Sequence, residues 1–181
     1  KVGYRNELEA AQIYFAEKDG DEALILNAAE VVKSPGIPEK NEWMKKIRAK
    51  GIPVISEIEL AYRYKGNSKI IAITGSNGKS TTTALIYHIC QVAGLDCALV
   101  GNIGYSFAKQ IAEDPKSLYV AEISSFQLDD IKTFRPDVAV FLNITEDHLD
   151  RYDYKFENYI ASKFRIAMNQ TSEDYFIYNL D

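Results

Sequence analysis

The chain has 181 residues, 46% of them hydrophobic and 26% charged, ordinary globular values that allow one sizeable core or two small ones. Its formal net charge of −5 gives no electrostatic reason to expect nucleic acid or a membrane surface as partner, so an anionic ligand would have to be held by a local site. No apolar run approaches the ~20 residues of a membrane span. Cys90 and Cys97 lack metal-ligand spacing and read as reduced core thiols of a cytoplasmic protein. The chain has neither an initiating Met nor a signal peptide at Lys1, and it stops abruptly at Asp181. A piece of a longer protein is the expectation.

Short apolar runs alternate with helical patterns along the chain. ALIL at 23–26 is the first run, followed by the turn SPGIP at 34–38, where Pro fixes φ and Gly permits positive φ. A helical pattern at 42–50 precedes the run IPVI at 52–55. Ser56 with Glu59 fits a capping box that opens a helix at 57–64. A domain boundary is expected there, with 1–56 the remainder of one α/β domain and 57–181 much of a second. The runs IIAI (70–73), ALV (98–100), LYVAEI (118–123), VAVFLNI (138–144) and YFIY (175–178) follow, with helical stretches at 81–93 and 154–169. Continuous apolar strands separated by helices predict an α/β fold with a parallel sheet covered on both faces.

KIIAITGSNGKSTTT at 69–83 joins a strand, a glycine loop and a helix start. That order suits phosphate: loop N–H groups and the helix dipole favour an anion, a lysine reaches the β/γ oxygens, and a hydroxyl can ligate Mg²⁺. The usual P-loop has its first glycine five positions before the second, which here is Ile73; this loop has Gly75 instead. A merely polar turn is the alternative. Leu85, Ile86, Ile89, Val92 and Ala93 are expected on one face of the following helix, which Gly94 ends.

Three further stretches carry chemistry. Glu122 follows the apolar LYVA near the carboxyl end of a strand, where a P-loop needs an acidic partner for Mg²⁺; an ordinary strand-end carboxylate is the alternative. In NITEDHLDRY at 143–152, Asp147 and His148 sit where a strand releases into its loop, again on the ligand edge, whereas His88 reads as structural. In YKFENYIASKFRIAMN, Lys163 shares a face with Phe156, Tyr159, Ile160 and Ala167. It either snorkels from the edge of that stripe or is buried with a task.

Together these stretches resemble the Mur ligases, ATP-dependent amide-forming enzymes of peptidoglycan synthesis. The carriers are ITGSNGKSTTT (73–83), GNIG (101–104), EISSFQLD (122–129) and NITEDHLDRY (143–152). Lys163, fifteen residues beyond His148, stands where the family has its metal-site lysine, and SPGI (34–37) resembles the family's uridine-domain loop. The shifted P-loop glycine is the family's own form. SSFQLD with TEDHLDRY is similar to the members that add D-glutamate to UDP-N-acetylmuramoyl-L-alanine.

The resemblance implies part of a Rossmann-like N-terminal domain for the UDP-substrate, then a P-loop parallel-sheet ATPase domain, with the C-terminal domain absent from these residues. The fragment alone is expected to be inactive. Gly75, Ser76, Asn77, Gly78, Lys79, Ser80, Thr81 and Thr82 would bind ATP, with Lys79, His148 and Lys163 catalytic. Ser80 and Glu122 would hold one Mg²⁺, and His148 and Lys163 a second. Gly36, Asn102, Ser124 and Asp147 would meet the UDP-substrate. For Lys163 two routes stay open: a free amine pairing with phosphate, or a carbamate formed with CO₂, which the resemblance favours. A monomer in the cytoplasm is expected. The alternatives are a relative that adds another amino acid or extends a folate, a P-loop kinase, and a nucleotide-binding module without turnover.

Overall fold

A computed structural model of the protein describes residues 2–16 and 22–179. Two compact units emerge, one comprising Lys1–Val31 and Glu39–Pro53, the other Val32–Pro38 and Val54–Asp181. Among its described residues the first carries the helices α1 (Val2–Ala10), α2 (Glu22–Leu26) and α3 (Glu42–Ala49). The run ALIL, expected as a strand, is α2. Four apolar residues do not distinguish a short helix from a strand, and here Glu22 supplies an acidic first turn. Asn41 caps α3 by accepting from the Trp43 N–H at 2.9 Å, and the helix buries Met44 and Ile47.

The second unit begins at the end of β1 (Val31–Lys33), which pairs with β2 (Val54–Ser56). Next come α4 (Glu57–Tyr64), β3 (Lys69–Thr74), α5 (Lys79–Val92), β4 (Cys97–Gly101), α6 (Phe107–Glu113), β5 (Leu118–Glu122), α7 (Ser125–Leu128), β6 (Val138–Phe141), α8 (Phe156–Phe164) and β7 (Tyr175–Tyr178). The five strands β3 to β7 form one parallel sheet in the order β4-β5-β3-β6-β7. Side chains alternate across it. Ile70, Ala72, Val100, Tyr119, Ala121 and Ala139 pack one face against Ile58 and Ala61 of α4, Phe107 of α6, and Leu128 of α7. Ile73 and Val120 pack the other against Cys90 and Ile86 of α5.

This layering creates the ligand edge. From β3 the chain crosses through α5 on one face of the sheet, whereas from its neighbour β5 it leaves through α7 on the other. Loops diverging from adjacent strand ends open a crevice at the carboxyl edge, the position where open α/β sheets bind ligands.

Two local expectations are corrected. On α5, Leu85, Ile89, Val92 and Ala93 are exposed; of the expected face Ile86 alone packs on the sheet, beside Thr83 and Cys90. At α4, Ser56 accepts from the Glu59 N–H at 3.3 Å, but the box is not reciprocal. The fully buried Glu59 carboxylate instead accepts from the backbone N–H groups of Lys132, Thr133 and Phe134 and from the Thr133 hydroxyl. Among the described residues no helix is long and apolar enough to cross a membrane.

Candidate active site

The P-loop is fastened from behind. Asn143, just past β6, accepts from the Asn77 N–H at 2.9 Å and donates to the Asn77 carbonyl at 3.0 Å. Its own carbonyl accepts from the Ser76 N–H at 3.0 Å. The Ser76 hydroxyl is buried, donating to the Thr145 carbonyl and lying 3.2 Å from the Tyr159 hydroxyl. Ser76 and Asn77 therefore spend their N–H groups on the scaffold. At the start of α5, the N–H groups of Gly78, Lys79, Ser80 and Thr81 have no partner among the described residues. Here the dipole and the orphan N–H groups of a fourteen-residue helix face one anion position. Gly75 has φ +154°, and a Cβ there would stand 3.0 Å from Leu142 Cβ, so the loop can lie this close to β6 only with glycine.

Glu122 lies at the end of β5, opposite Ile73 on one side and Gly101 on the other. It is 1% exposed, its Oε1 accepts from Asn102 Nδ2 at 2.7 Å, and Oε2 has no partner among the described residues. A buried carboxylate oxygen without a donor is costly unless a cation or ligand completes it. Asn102 also donates its backbone N–H to the Glu122 carbonyl at 2.8 Å. That approach depends on Gly101, with φ +101°, where any Cβ would strike the Glu122 carbonyl oxygen. No group of three His, Cys, Asp or Glu gathers for a metal among the described residues. One buried carboxylate oxygen without a partner among the described residues instead fits a hard cation whose remaining ligands are water and phosphate, the habit of Mg²⁺.

The other wall carries His148 and Lys163. His148 has φ +51°, rare for a non-glycine residue and of the kind concentrated at functional sites. Its ring packs 5.1 Å from that of Phe126, and its Nε2 lies 3.4 Å from Asp147 Oδ2. Lys163 is buried, not snorkelling. It is 2% exposed, lies 4.8 Å from the centre of the Tyr159 ring, and donates to the Gly75 carbonyl at 2.8 Å. Burial, aided by the positive charge of Lys79, lowers its pKa to about 8.

A cavity of about 150 Å³ brings together Lys79, Asn102, Ser124, Asp147, His148 and Lys163, with Glu122 joined to it through Asn102. Ser124 lines it as the N-cap of α7, in a reciprocal capping box with Gln127. Ser80 and Thr81 are exposed along the first turn of α5. Gly36 is outside this cavity, on the exposed turn after β1, where its carbonyl is 3.5 Å from Arg151. Sequence reasoning quoted Asn143, Phe126, Tyr159 and Arg151 inside motifs without giving them roles. Their partners are distant in sequence, and only Tyr159 carried a signal, sharing the helix face of Lys163.

The sequence profile of the Mur ligase middle domain matches residues 73–181. Among curated proteins, the chain is 60% identical over 172 residues to a UDP-N-acetylmuramoylalanine–D-glutamate ligase of Cytophaga hutchinsonii, covering 94% of this chain and 38% of the relative. It is 54% identical over 178 residues to the protein of that name from Bacteroides thetaiotaomicron, covering 98% and 40%. The chain thus spans about two-fifths of the length of these relatives. Among solved structures, the UDP-N-acetylmuramate:L-alanyl-gamma-D-glutamyl-meso-diaminopimelate ligase from Neisseria meningitides aligns with TM-score 0.61 at 21% identity, over 97% of this chain and 59% of that one. The UDP-N-acetylmuramate-alanine ligase of Thermotoga maritima aligns with TM-score 0.52 at 17% identity, over 94% and 39%. These two likenesses concern the fold.

Proposed function

The chain belongs to the Mur ligase family, and from that premise we propose that the protein carrying it adds D-glutamate to UDP-N-acetylmuramoyl-L-alanine, converting ATP to ADP, in cytoplasmic peptidoglycan precursor synthesis. Residues 1–56 would belong to the UDP-substrate domain and 57–181 to the ATPase domain of a monomer. The observation that carries the chemistry is the buried, half-satisfied Glu122 carboxylate held by Asn102, which lines the same cavity as Lys79 and Lys163.

A carboxylate is a poor electrophile. Its oxygen attacks the γ-phosphorus of ATP, ADP leaves, and an acyl phosphate results. The amine of D-glutamate then attacks the acyl carbon, loses a proton, and phosphate departs with the former carboxylate oxygen. Catalysis of the first step is mostly positioning and charge neutralisation. In this reading the N–H groups of Gly78, Lys79, Ser80 and Thr81 and the Lys79 ammonium cradle the β/γ phosphates, with Gly75, Ser76 and Asn77 shaping the loop and Thr82 behind it. Mg²⁺, when bound, neutralises phosphate charge and draws the substrate carboxylate to the γ-phosphate. Ser80 and Glu122 would hold one ion, and His148 and Lys163 a second. Lys163 can serve only as a carbamate, formed when its neutral amine adds to CO₂ and loses a proton; the lowered pKa favours the reactive form. Asn102, Ser124 and Asp147 border the space for the muramoyl-alanine end, and Gly36 meets the uridine end.

The test is phosphate release by the full-length protein with UDP-N-acetylmuramoyl-L-alanine and ATP, comparing D-glutamate, L-glutamate and no amino acid. Release only with D-glutamate is expected. A kinase or a hydrolase would release ADP or phosphate without that dependence.

A further inference from the structure

Arg151 makes contacts that its place beside His148 does not require. It closes the short 3₁₀ turn Leu149–Arg151 by donating its N–H to the His148 carbonyl at 2.9 Å. Its guanidinium lies 4.4 Å from the centre of the Phe126 ring, which also packs on His148. The guanidinium then reaches across to the turn after β1, donating to the Pro35 carbonyl at 3.2 Å and approaching the Gly36 and Ile37 carbonyls at 3.5 Å each. Below that turn, Lys33 and Asp130 form an ion pair of 2.7 Å in which both side chains are about 5% exposed or less, anchoring the strand that delivers it.

Peptide planarity gives these contacts a consequence. The Pro35 carbonyl and the Gly36 N–H belong to one trans peptide and point in opposite directions. A guanidinium holding that carbonyl turns the Gly36 N–H away from Arg151 and outward. Pro35 and Pro38 have no N–H, and the Ile37 N–H is bound to the Ser34 carbonyl at 3.0 Å. Within residues 35–38, Gly36 is therefore the backbone N–H without a partner among the described residues, and Arg151 sets its direction. We propose that Arg151 is a positioning residue that aims the Gly36 N–H at the uridine end of the nucleotide-sugar while its own turn carries His148, so that one side chain sets the register between the two ends of the substrate. This rests on the functional reading above. Lysine cannot replace it, because a single ammonium lacks the planar fork that spans neighbouring carbonyls.

The test uses the full-length protein and its Arg151→Ala and Arg151→Lys variants. UDP affinity is read by calorimetry, with KM for UDP-N-acetylmuramoyl-L-alanine, KM for ATP, and thermal melting. Loss of a charged donor to an orienting carbonyl is expected to weaken UDP and raise the nucleotide-sugar KM by roughly tenfold or more in both variants. The KM for ATP should stay near the wild-type value, and millimolar methylguanidine should restore UDP affinity to Arg151→Ala. Unchanged UDP affinity would overturn the proposal, as would parallel loss of UDP and ATP binding with a lowered melting temperature, the mark of a merely structural role. Absence of amide product from the wild type would defeat the functional reading alone, since UDP calorimetry still judges Arg151 independently.

Discussion

Lys79 and Lys163 donate to the same oxygen, the Gly75 carbonyl, at 2.9 and 2.8 Å. One arrives from the helix that follows the P-loop, the other from a helix eighty-four residues further along the chain. Burial first, and then the repulsion between two ammonium groups on one carbonyl, lowers the pKa of Lys163 to about 8.

Lys79→Ala should separate binding from folding. The side chain makes two hydrogen bonds to loop carbonyls, at Gly75 and Ser76. Their loss should cost about 1–2 kcal/mol of stability. Turnover should fall by roughly 10²–10³-fold, the scale for a missing electrostatic donor at a transferring group. Urea midpoints alongside ATP turnover of the full-length protein check both. Unfolding of the variant under conditions where the parent is stable would make the loop structural.

Lys163→Met should abolish turnover while leaving the fold intact, because a buried apolar chain of similar length suits the site beside Tyr159. In ¹³C-bicarbonate, NMR of the wild-type full-length protein should show a carbamate resonance that the variant lacks. A fully active variant would remove Lys163 from the mechanism.

Gly101→Ala should distort Glu122 without touching it chemically. The methyl would strike the Glu122 carbonyl oxygen, and φ of +101° is itself unfavourable for alanine. A loss of about 2 kcal/mol or more is expected, in the range of strained backbone positions. The Mg²⁺ concentration needed for half-maximal nucleotide binding should rise with it, read by calorimetry.

Glu59 supplies a pH prediction. Burial alone would raise its pKa, but hydrogen bonds from the Thr133 hydroxyl and the N–H groups of Lys132, Phe134 and Thr133 outweigh burial and hold it below the usual value of 4.5. A carboxylate depressed in the folded state contributes stability that is complete above pH 4.5 and is lost as pH falls below it toward the folded pKa. Glu59→Gln turns an amide NH₂ toward one of those donors. It should cost about 2–4 kcal/mol at pH 7, a deficit that shrinks as the pH drops below about 4.5. Urea denaturation across pH 3–8 measures it.

The parallel sheet and the P-loop were legible in the sequence because their signals are local. Apolar runs mark the strands, and the glycine loop followed by lysine and hydroxyls marks the turn from β3 into α5. The burial of Lys163 was legible as an option, since helical period placed it in an apolar stripe, but period alone does not say which way a stripe turns. The same limit misassigned α5, where Leu85, Ile89 and Val92 face out. What stayed hidden depends on long-range pairing. Asn143 gripping Asn77, Glu59 filling a ring of N–H groups at 132–134, and Arg151 reaching the 35–37 turn are all set by topology. ALIL forms a helix where a strand is expected, because so short a run carries no period.

The most direct measurement of the central claim follows oxygen. Full-length protein is given ATP, D-glutamate and UDP-N-acetylmuramoyl-L-alanine labelled with ¹⁸O in its free carboxylate, and the released phosphate is weighed by mass spectrometry. An acyl phosphate requires one ¹⁸O in each phosphate formed with amide product, with no release when D-glutamate is withheld. Unlabelled phosphate, or equal release with L-glutamate or none, would contradict the ligase account.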